Sequence, residues 1–186
     1  MSRIVNQLKK NKAFYLAIAS TIAIVLYAQL ILGHYSGCFS ISGTSNSLGL
    51  SFGYTIDMVQ HFFEIRSNEQ LKCYAHFIRV WDTIFPLLYT LMYSLWFVYL
   101  FKKWRLLLTI PILHMFSDWI ENYFELLLLD AYMPPYTLEE NLVSLGSIVT
   151  IIKWSLSIVT YLIILYGIIT KLKTFITKLK LHQNEV

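Results

Sequence analysis

Four stretches of this chain run almost without a polar break for the ~20 positions that a helix needs to cross a bilayer core. They cover residues 14–32, 78–101, 106–129 and 143–170. Between the first two the pattern changes twice. After Gly33 comes Ser36-Gly-Cys-Phe-Ser-Ile-Ser-Gly-Thr-Ser-Asn-Ser-Leu-Gly, a Gly/Ser-rich run with little helical propensity. From Thr55 helical spacing returns, with Ile56, Val59, Phe62 and Phe63 behind a Thr N-cap. Ser67-Asn-Glu-Gln70 then matches a capping box and starts a helix that runs on into the second apolar stretch. The outer loop 33–77 is therefore expected to be partly helical and amphipathic, lying on the membrane surface or capping the bundle. Lys102-Lys-Trp-Arg105 leaves room only for a tight turn, which makes the second and third helices an antiparallel hairpin. Thr137-Leu-Glu-Glu reads as the N-cap box of the fourth helix.

The third stretch is the informative one, because its apolar run carries His114, Asp118, Glu121, Asn122 and Glu125. At about 100° per residue these side chains fall within an arc of roughly 100° on one helix face. An acid at the bilayer centre costs on the order of 2.5–3.5 kcal/mol on insertion scales, so the stripe must face protein or water and not lipid. The neighbouring stretches offer partners. On the second, Asp82, Pro86, Tyr89, Tyr93 and Trp96 share one face, a carboxylate above a column of rings. On the fourth, Gly146, Thr150, Lys153, Ser157 and Thr160 line up, and Lys153 stands too far from the inner end to reach the headgroups there. With a rise of ~1.5 Å per residue, Asp82, Asp118, Glu121, Glu125 and Lys153 share a layer roughly 20–30 Å from the basic inner ends. On the first helix Ala17, Thr21 and Ala28 form a small-residue face that admits a close neighbour.

Composition agrees with the pattern. Of 186 residues, 56% are hydrophobic and 16% aromatic, and the mean hydropathy of +0.55 is too high for an ordinary soluble domain. The connecting segments are too short to fold alone, so residues 1–186 are expected to form a single membrane domain. The first stretch lacks a small-residue cleavage signature and is kept as a retained helix. The formal net charge of +4 matters through its placement. Lys9, Lys10 and Lys12 precede the first span, Lys102, Lys103 and Arg105 join the second to the third, and Lys171, Lys173, Lys178 and Lys180 follow the fourth. The positive-inside rule then puts both termini in the cytoplasm, which an even number of spans also requires. These basic residues report topology and contact with anionic headgroups, and nothing else favours nucleic acid as a partner. The expected location is the cell membrane, or an organelle membrane in a eukaryote. Cys38 and Cys73 both fall in the outer loop, where a disulfide is one reading and two buried thiols the other.

Four carboxylates against one lysine cannot all be ionised in a low-dielectric layer. Some must carry protons, accept hydrogen bonds from Tyr89, Tyr93 or Asn122, or bind a cation, and Arg79 at the outer lip offers one more charge. Three roles compete for the cluster. It binds or transports a small cationic or amphiphilic ligand above the Tyr/Trp column; it serves an enzyme acting on a membrane-dissolved substrate, with a carboxylate as general acid/base; or it is an ion-pair network that only holds helix register. Taken singly the residues favour the last: a bundle histidine is usually packed and satisfied, and Glu125 near the outer end simply reaches water. The number of buried charges exceeds what register requires. His114 and Asp118 at i, i+4 are too few for a metal site, and no cofactor motif, nucleophilic triad or phosphate loop is present.

Phe52-Gly-Tyr-Thr, Asp82-Thr-Ile-Phe-Pro-Leu-Leu-Tyr89, Pro111 with Asp118-Trp-Ile-Glu-Asn122, and Lys153-Trp154 stand in this order along residues 50–165. In these elements the chain resembles an uncharacterised family of small four-helix integral membrane proteins found chiefly in bacteria. The resemblance implies that Asp82, Tyr89, Asp118, Glu121, Asn122 and Lys153 are a defining polar set, and it implies no activity. A second similarity, of layout only, is to the emopamil-binding and sigma-2-receptor-like sterol proteins. It rests on an acidic second helix with Pro and Tyr, a Lys-Trp inner turn and a His on the third helix, and it implies a hydrophobic slot closed by aromatics. The sequence thus predicts an all-α bundle of four transmembrane helices with a polar cluster, and leaves ligand, chemistry and oligomeric state open.

Overall fold

The computed structural model describes the backbone of residues 2–44, 47–133 and 138–183, and side chains between residues 12 and 177. All regular structure there is helical, and no strand occurs among the described residues. Helix α1 (Ser2–Leu26) continues through a π-helical turn, Tyr27–Leu32, and a last turn, Gly33–Ser36. Helix α2 (Ile56–Glu64) begins at Thr55, whose side chain accepts from the Met58 N–H. Helix α3 (Asn68–Phe77) begins with both arms of the Ser67/Gln70 capping box made. It passes through a second π turn, Ile78–Asp82, into α4 (Thr83–Leu100). After one short turn at Trp104–Leu107 come α5 (Thr109–Tyr132) and α6 (Glu140–Gln183). The N-cap expected at Thr137 lies outside the described residues.

Among the described residues three helices are long and apolar enough to cross a membrane, at Lys12–Ser36, Asn68–Leu100 and Glu140–Thr177. Each extends beyond the apolar stretch that announced it. Residues 171–183 alternate Lys with Leu, Ile and Phe and contain no breaker, so α6 runs on past residue 170. The 24 residues of α5 reach ~36 Å, but the four acids Asp118, Glu121, Glu125 and Asp130 set it apart from the other three.

The helices pack in sequence: α1 along α4, α4 against α5 and α6, and α5 along α6. Among the described residues α1 and α6 share no packed seam. Small side chains make the α1–α4 approach, with Ala13 and Ala17 buried and the Trp96 indole N–H donating to Thr21 Oγ1 at 3.0 Å. Trp96 therefore leaves the tyrosine column expected from its helical phase and closes onto α1. Two polar bonds tie α4 to α5, from Thr90 Oγ1 to the Pro111 carbonyl at 3.2 Å and from Trp119 Nε1 to the Thr83 carbonyl at 3.0 Å. Such bonds hold where helices gain no hydrophobic drive from leaving lipid.

The two π turns face one another across this seam. Pro86 has no N–H to offer the carbonyl of Asp82, and its ring crowds that carbonyl, so the turn before it widens. The Tyr27 hydroxyl donates to the Trp81 carbonyl at 2.7 Å, so a backbone oxygen within the widened turn keeps a partner. The consequence is positional: Asp82, the last residue of the turn, is aimed into the bundle.

Residues 37–44 and 47–66 cap one end of the bundle instead of lying flat. Phe39, Tyr54, Val59, Phe62 and Phe63 form one core with Leu71, Tyr74 and Phe77 of α3 and Leu128 of α5. Arg66 is buried in this cap, with Nε donating to the Phe39 carbonyl at 3.0 Å and Nη1 to the Phe62 carbonyl at 2.6 Å. Its guanidinium lies 3.6 Å from the Phe62 ring centroid. A disulfide joins Cys38 to Cys73, tying the start of the cap to α3.

Candidate functional site

A cavity of about 570 Å³ opens between α1, α4, α5 and α6 beneath the cap. Its size falls in the range of small-molecule sites, ~300–1,000 Å³. Ile24 and Val25 of α1, Phe85 and Met92 of α4 and Phe39 and Phe77 of the cap region give it apolar walls. The polar groups gather on one side. Seven of the nine residues singled out from the sequence line the cavity, namely Asp82, Tyr89, Tyr93, His114, Asp118, Glu121 and Lys153. Asn122 and Glu125 do not.

The polar set divides in two. Facing the cavity, Tyr89 donates its hydroxyl to Asp118 Oδ2 at 2.9 Å, and the His114 ring stacks on Tyr89 with centroids 4.4 Å apart. Tyr93 continues the column, with its ring 5.5 Å from that of Tyr89 and edge-on to Tyr161 of α6. Asp82 lines the same cavity as Asp118. No ion pair is made by Asp82 or Asp118 among the described residues. His114 Nδ1 and Glu121 Oε1 are buried with no hydrogen-bond partner among them.

Toward the cap Lys153, Glu121 and Glu125 are paired, whereas Asn122 Nδ2 and Oδ1 are buried with no hydrogen-bond partner among the described residues. Lys153 forms an ion pair with Glu121. Glu125 accepts from the Tyr74 hydroxyl, from the Gly49 N–H at 2.6 Å and from Ser47 Oγ at 3.3 Å. The Gly49 carbonyl in turn accepts from Lys153 Nζ at 3.0 Å and Trp154 Nε1 at 2.9 Å. Glu125 is 1% exposed, which corrects the expectation that it reaches water; the 3₁₀ turn Leu48–Leu50 covers it. Arg79 is exposed and joins no acid of the cluster.

Gly49 is the residue on which this arrangement turns. A Cβ there would stand 2.6 Å from Glu125 Oε1 and 2.7 Å from Glu121 Oε2. Only a bare backbone can approach the carboxylates so closely. Gly146 plays a related part, since any side chain on it would strike the Tyr54 hydroxyl. Tyr54 lies outside the long helices, where burial, with the nearby Glu125 adding to it, holds its phenol well above its ordinary range and keeps it neutral.

Sequence reading did not single out Ser47, Gly49, Tyr74, Met92 or Tyr161 for the site. Tyr74 and Tyr161 lie at helical positions whose phase alone names no partner. The one local signal for the loop is Leu48-Gly49-Leu50, an apolar pair around a glycine inside an otherwise polar run. No protein-family model, curated protein or solved structure matches the chain.

Proposed function

We propose that the protein is a multi-pass membrane protein with four spans and cytoplasmic termini, whose cavity binds a small amphiphile with a cationic head. α5 is taken as the fourth span because Asp118, Glu121 and Glu125 are turned onto α4, α6 and the cap, which of its acids leaves only Asp130, near its end, exposed. The basic residues Lys102, Lys103 and Arg105 mark the end opposite the cap as the cytoplasmic one. Membrane lipids are then the surrounding partners.

The observation that carries the ligand class is the charge pattern inside the cavity. Lys153 is committed to Glu121 and to the Gly49 carbonyl, and among the described residues it makes no ion pair with Asp82 or Asp118. A protonated amine set between those two carboxyls supplies the missing charge, and its tail fills the apolar space beside Ile24, Phe85 and Met92. Lys153, Glu121 and Glu125 serve as internal glue for the same site.

The test uses purified protein in lipid nanodiscs with dodecylamine, dodecanol and dodecanoate as probes. At ten times its Kd a ligand stabilises by about 1.4 kcal/mol, worth about 3–6 °C for a chain of this size. Dodecylamine is expected to give that rise and the other two much less, with Asp82→Asn removing the difference. Equal shifts from all three probes, or a shift indifferent to Asp82→Asn, would refute the cationic-head assignment.

A second reading, a lipid- or sterol-modifying enzyme of the emopamil-binding type, is favoured by one observation. The unpartnered His114 Nδ1 beside Asp118 is an acid/base pair in search of a substrate. Extracting lipid from the wild-type and His114→Ala proteins after incubation with membranes separates the two. A product isomer found only with the wild type supports catalysis, and identical lipid from both supports binding alone.

A further inference from the structure

We infer, building on the amphiphile-binding role proposed above, that the ligand is a bilayer-dissolved lipid-like amphiphile that enters sideways between α1 and α6, and not a water-borne cation or amine admitted through the cap. Two independent sets of contacts carry this.

The first is the rim of the cavity. Three of its lining side chains are largely exposed, Val25 of α1 at 53%, Leu50 of the cap at 62% and Tyr161 of α6 at 56%, and the backbone of Gly33 above Val25 is exposed as well. The cavity therefore reaches the protein surface where these three stand, along the line where α1 and α6 fail to meet. Its depth in the membrane follows from helix rise. Val25 is about 20 Å along α1 from Lys12, and Tyr161 about 15 Å along α6 from Lys171. Both distances lie within the ~30 Å hydrocarbon layer. The mouth is flanked by Ile22, Leu26, Ile158 and Leu162, exposed apolar side chains suited to acyl chains and not to water.

The second is the closure of the other end. The Leu48–Leu50 turn is fastened to both helices beneath it, to α5 through Glu125 and to α6 through Lys153 and Trp154. Phe39 and Phe77 roof the cavity beside it, both buried, and the Cys38–Cys73 bond holds the strand of chain that carries Phe39. A hydrated cation approaching from the capped side meets packed aromatics and an occupied hydrogen-bond network. An amphiphile already in the membrane meets an open slot whose far wall carries Asp82 and Asp118.

Thiol accessibility tests the route without knowledge of the ligand. Ser157 lines the cavity and is buried, so Ser157→Cys in the full chain, with the native disulfide intact, places a reporter inside. The protein in nanodiscs is treated with an apolar maleimide or with the fixed-charge trimethylammonium methanethiosulfonate reagent. Labelling by the apolar reagent is expected to be about a hundredfold faster relative to an exposed-cysteine control, the factor by which a full charge disfavours entry to the membrane core. Adding Gly49→Ala, which lifts the turn from its carboxylates, should restore labelling by the charged reagent. Rapid labelling of the parent Ser157→Cys protein by the charged reagent would overturn the inference, and so would failure of both reagents. Met92→Cys, on the opposite wall, repeats the measurement if Ser157→Cys does not fold. A route overturned here while dodecylamine still raises the unfolding temperature leaves the binding role standing. Loss of the dodecylamine effect with lateral labelling intact removes the binding role instead.

Discussion

The ammonium of Lys153 donates to the carbonyl of Gly49 at 3.0 Å, joining residues 104 positions apart. One bond thus connects the longest helix to a three-residue turn in the cap, and the same ammonium holds Glu121 of α5. The site is built around this crossing, because it ties Lys153 to Glu121 and the cap, while Asp82 and Asp118 face the cavity with no ion pair among the described residues.

Replacing Lys153 with Met should therefore be severe. Glu121 would be left buried without its counter-charge, a loss of about 3–5 kcal/mol for a broken buried pair. The double variant Lys153→Met/Glu121→Gln should recover part of it, since no uncompensated charge remains. Thermal unfolding in nanodiscs reads both, and an unchanged melting temperature for Lys153→Met would remove the pairing from the energetics of the fold.

Gly49→Ala should loosen the cap while leaving the long helices formed. The added Cβ meets carboxylate oxygens at 2.6 and 2.7 Å, and relief requires the turn to lift or the two carboxylates to swing away, either of which breaks the bonds that seat the turn. Hydrogen exchange is expected to rise over residues 47–54 and stay low in α4 and α5. Gly33→Ala, whose Cβ meets only ordinary contact at 3.5 Å, is the control. Identical exchange in both variants would mean that the turn is not seated as described.

Tyr74→Phe removes one donor from Glu125 and leaves it to Ser47 and Gly49. A carboxylate buried with one partner fewer costs about 1–3 kcal/mol. Glu125→Gln in the Tyr74→Phe background should be less harmful than the sum of the two single changes, because these groups share one network. Additive losses by thermal or denaturant unfolding would argue that Tyr74 and Glu125 act separately.

The Cys38–Cys73 bond should contribute about 2–4 kcal/mol, as expected for closing a loop of this kind; its ends are 35 residues apart in sequence. Non-reducing gels should show a faster band that reduction shifts. Cys73→Ser should lower stability and expose the cap to protease. Free thiols at both positions, labelled from outside in the unreduced protein, would exclude the bond.

How much of this was visible in the chain alone differs by element. Thr55 and the Ser67/Gln70 box start their helices as read, because caps are settled by residues three apart. The stripe His114–Asp118–Glu121 turns inward together, because helical phase places it on one face and lipid forbids the alternative. Lys153 meets Glu121 for the same reason of phase and depth. Local periodicity carries this information in full.

Other features depend on distances that no local pattern encodes. Glu125 shares its helix face with Glu121, yet it is sealed beneath Gly49 while Glu121 lines the cavity. The difference is made by a loop 76 residues away. That loop reads as polar and irregular, and its role comes from backbone N–H and C=O groups, which every residue possesses and which therefore leave no mark on composition. The cavity opens between α1 and α6, which both lean on α4 and share no packed seam among the described residues. Periodicity shows which way a helix faces, whereas an empty volume between four helices arises from the angles at which they pack, and those angles depend on side chains drawn from the whole fold.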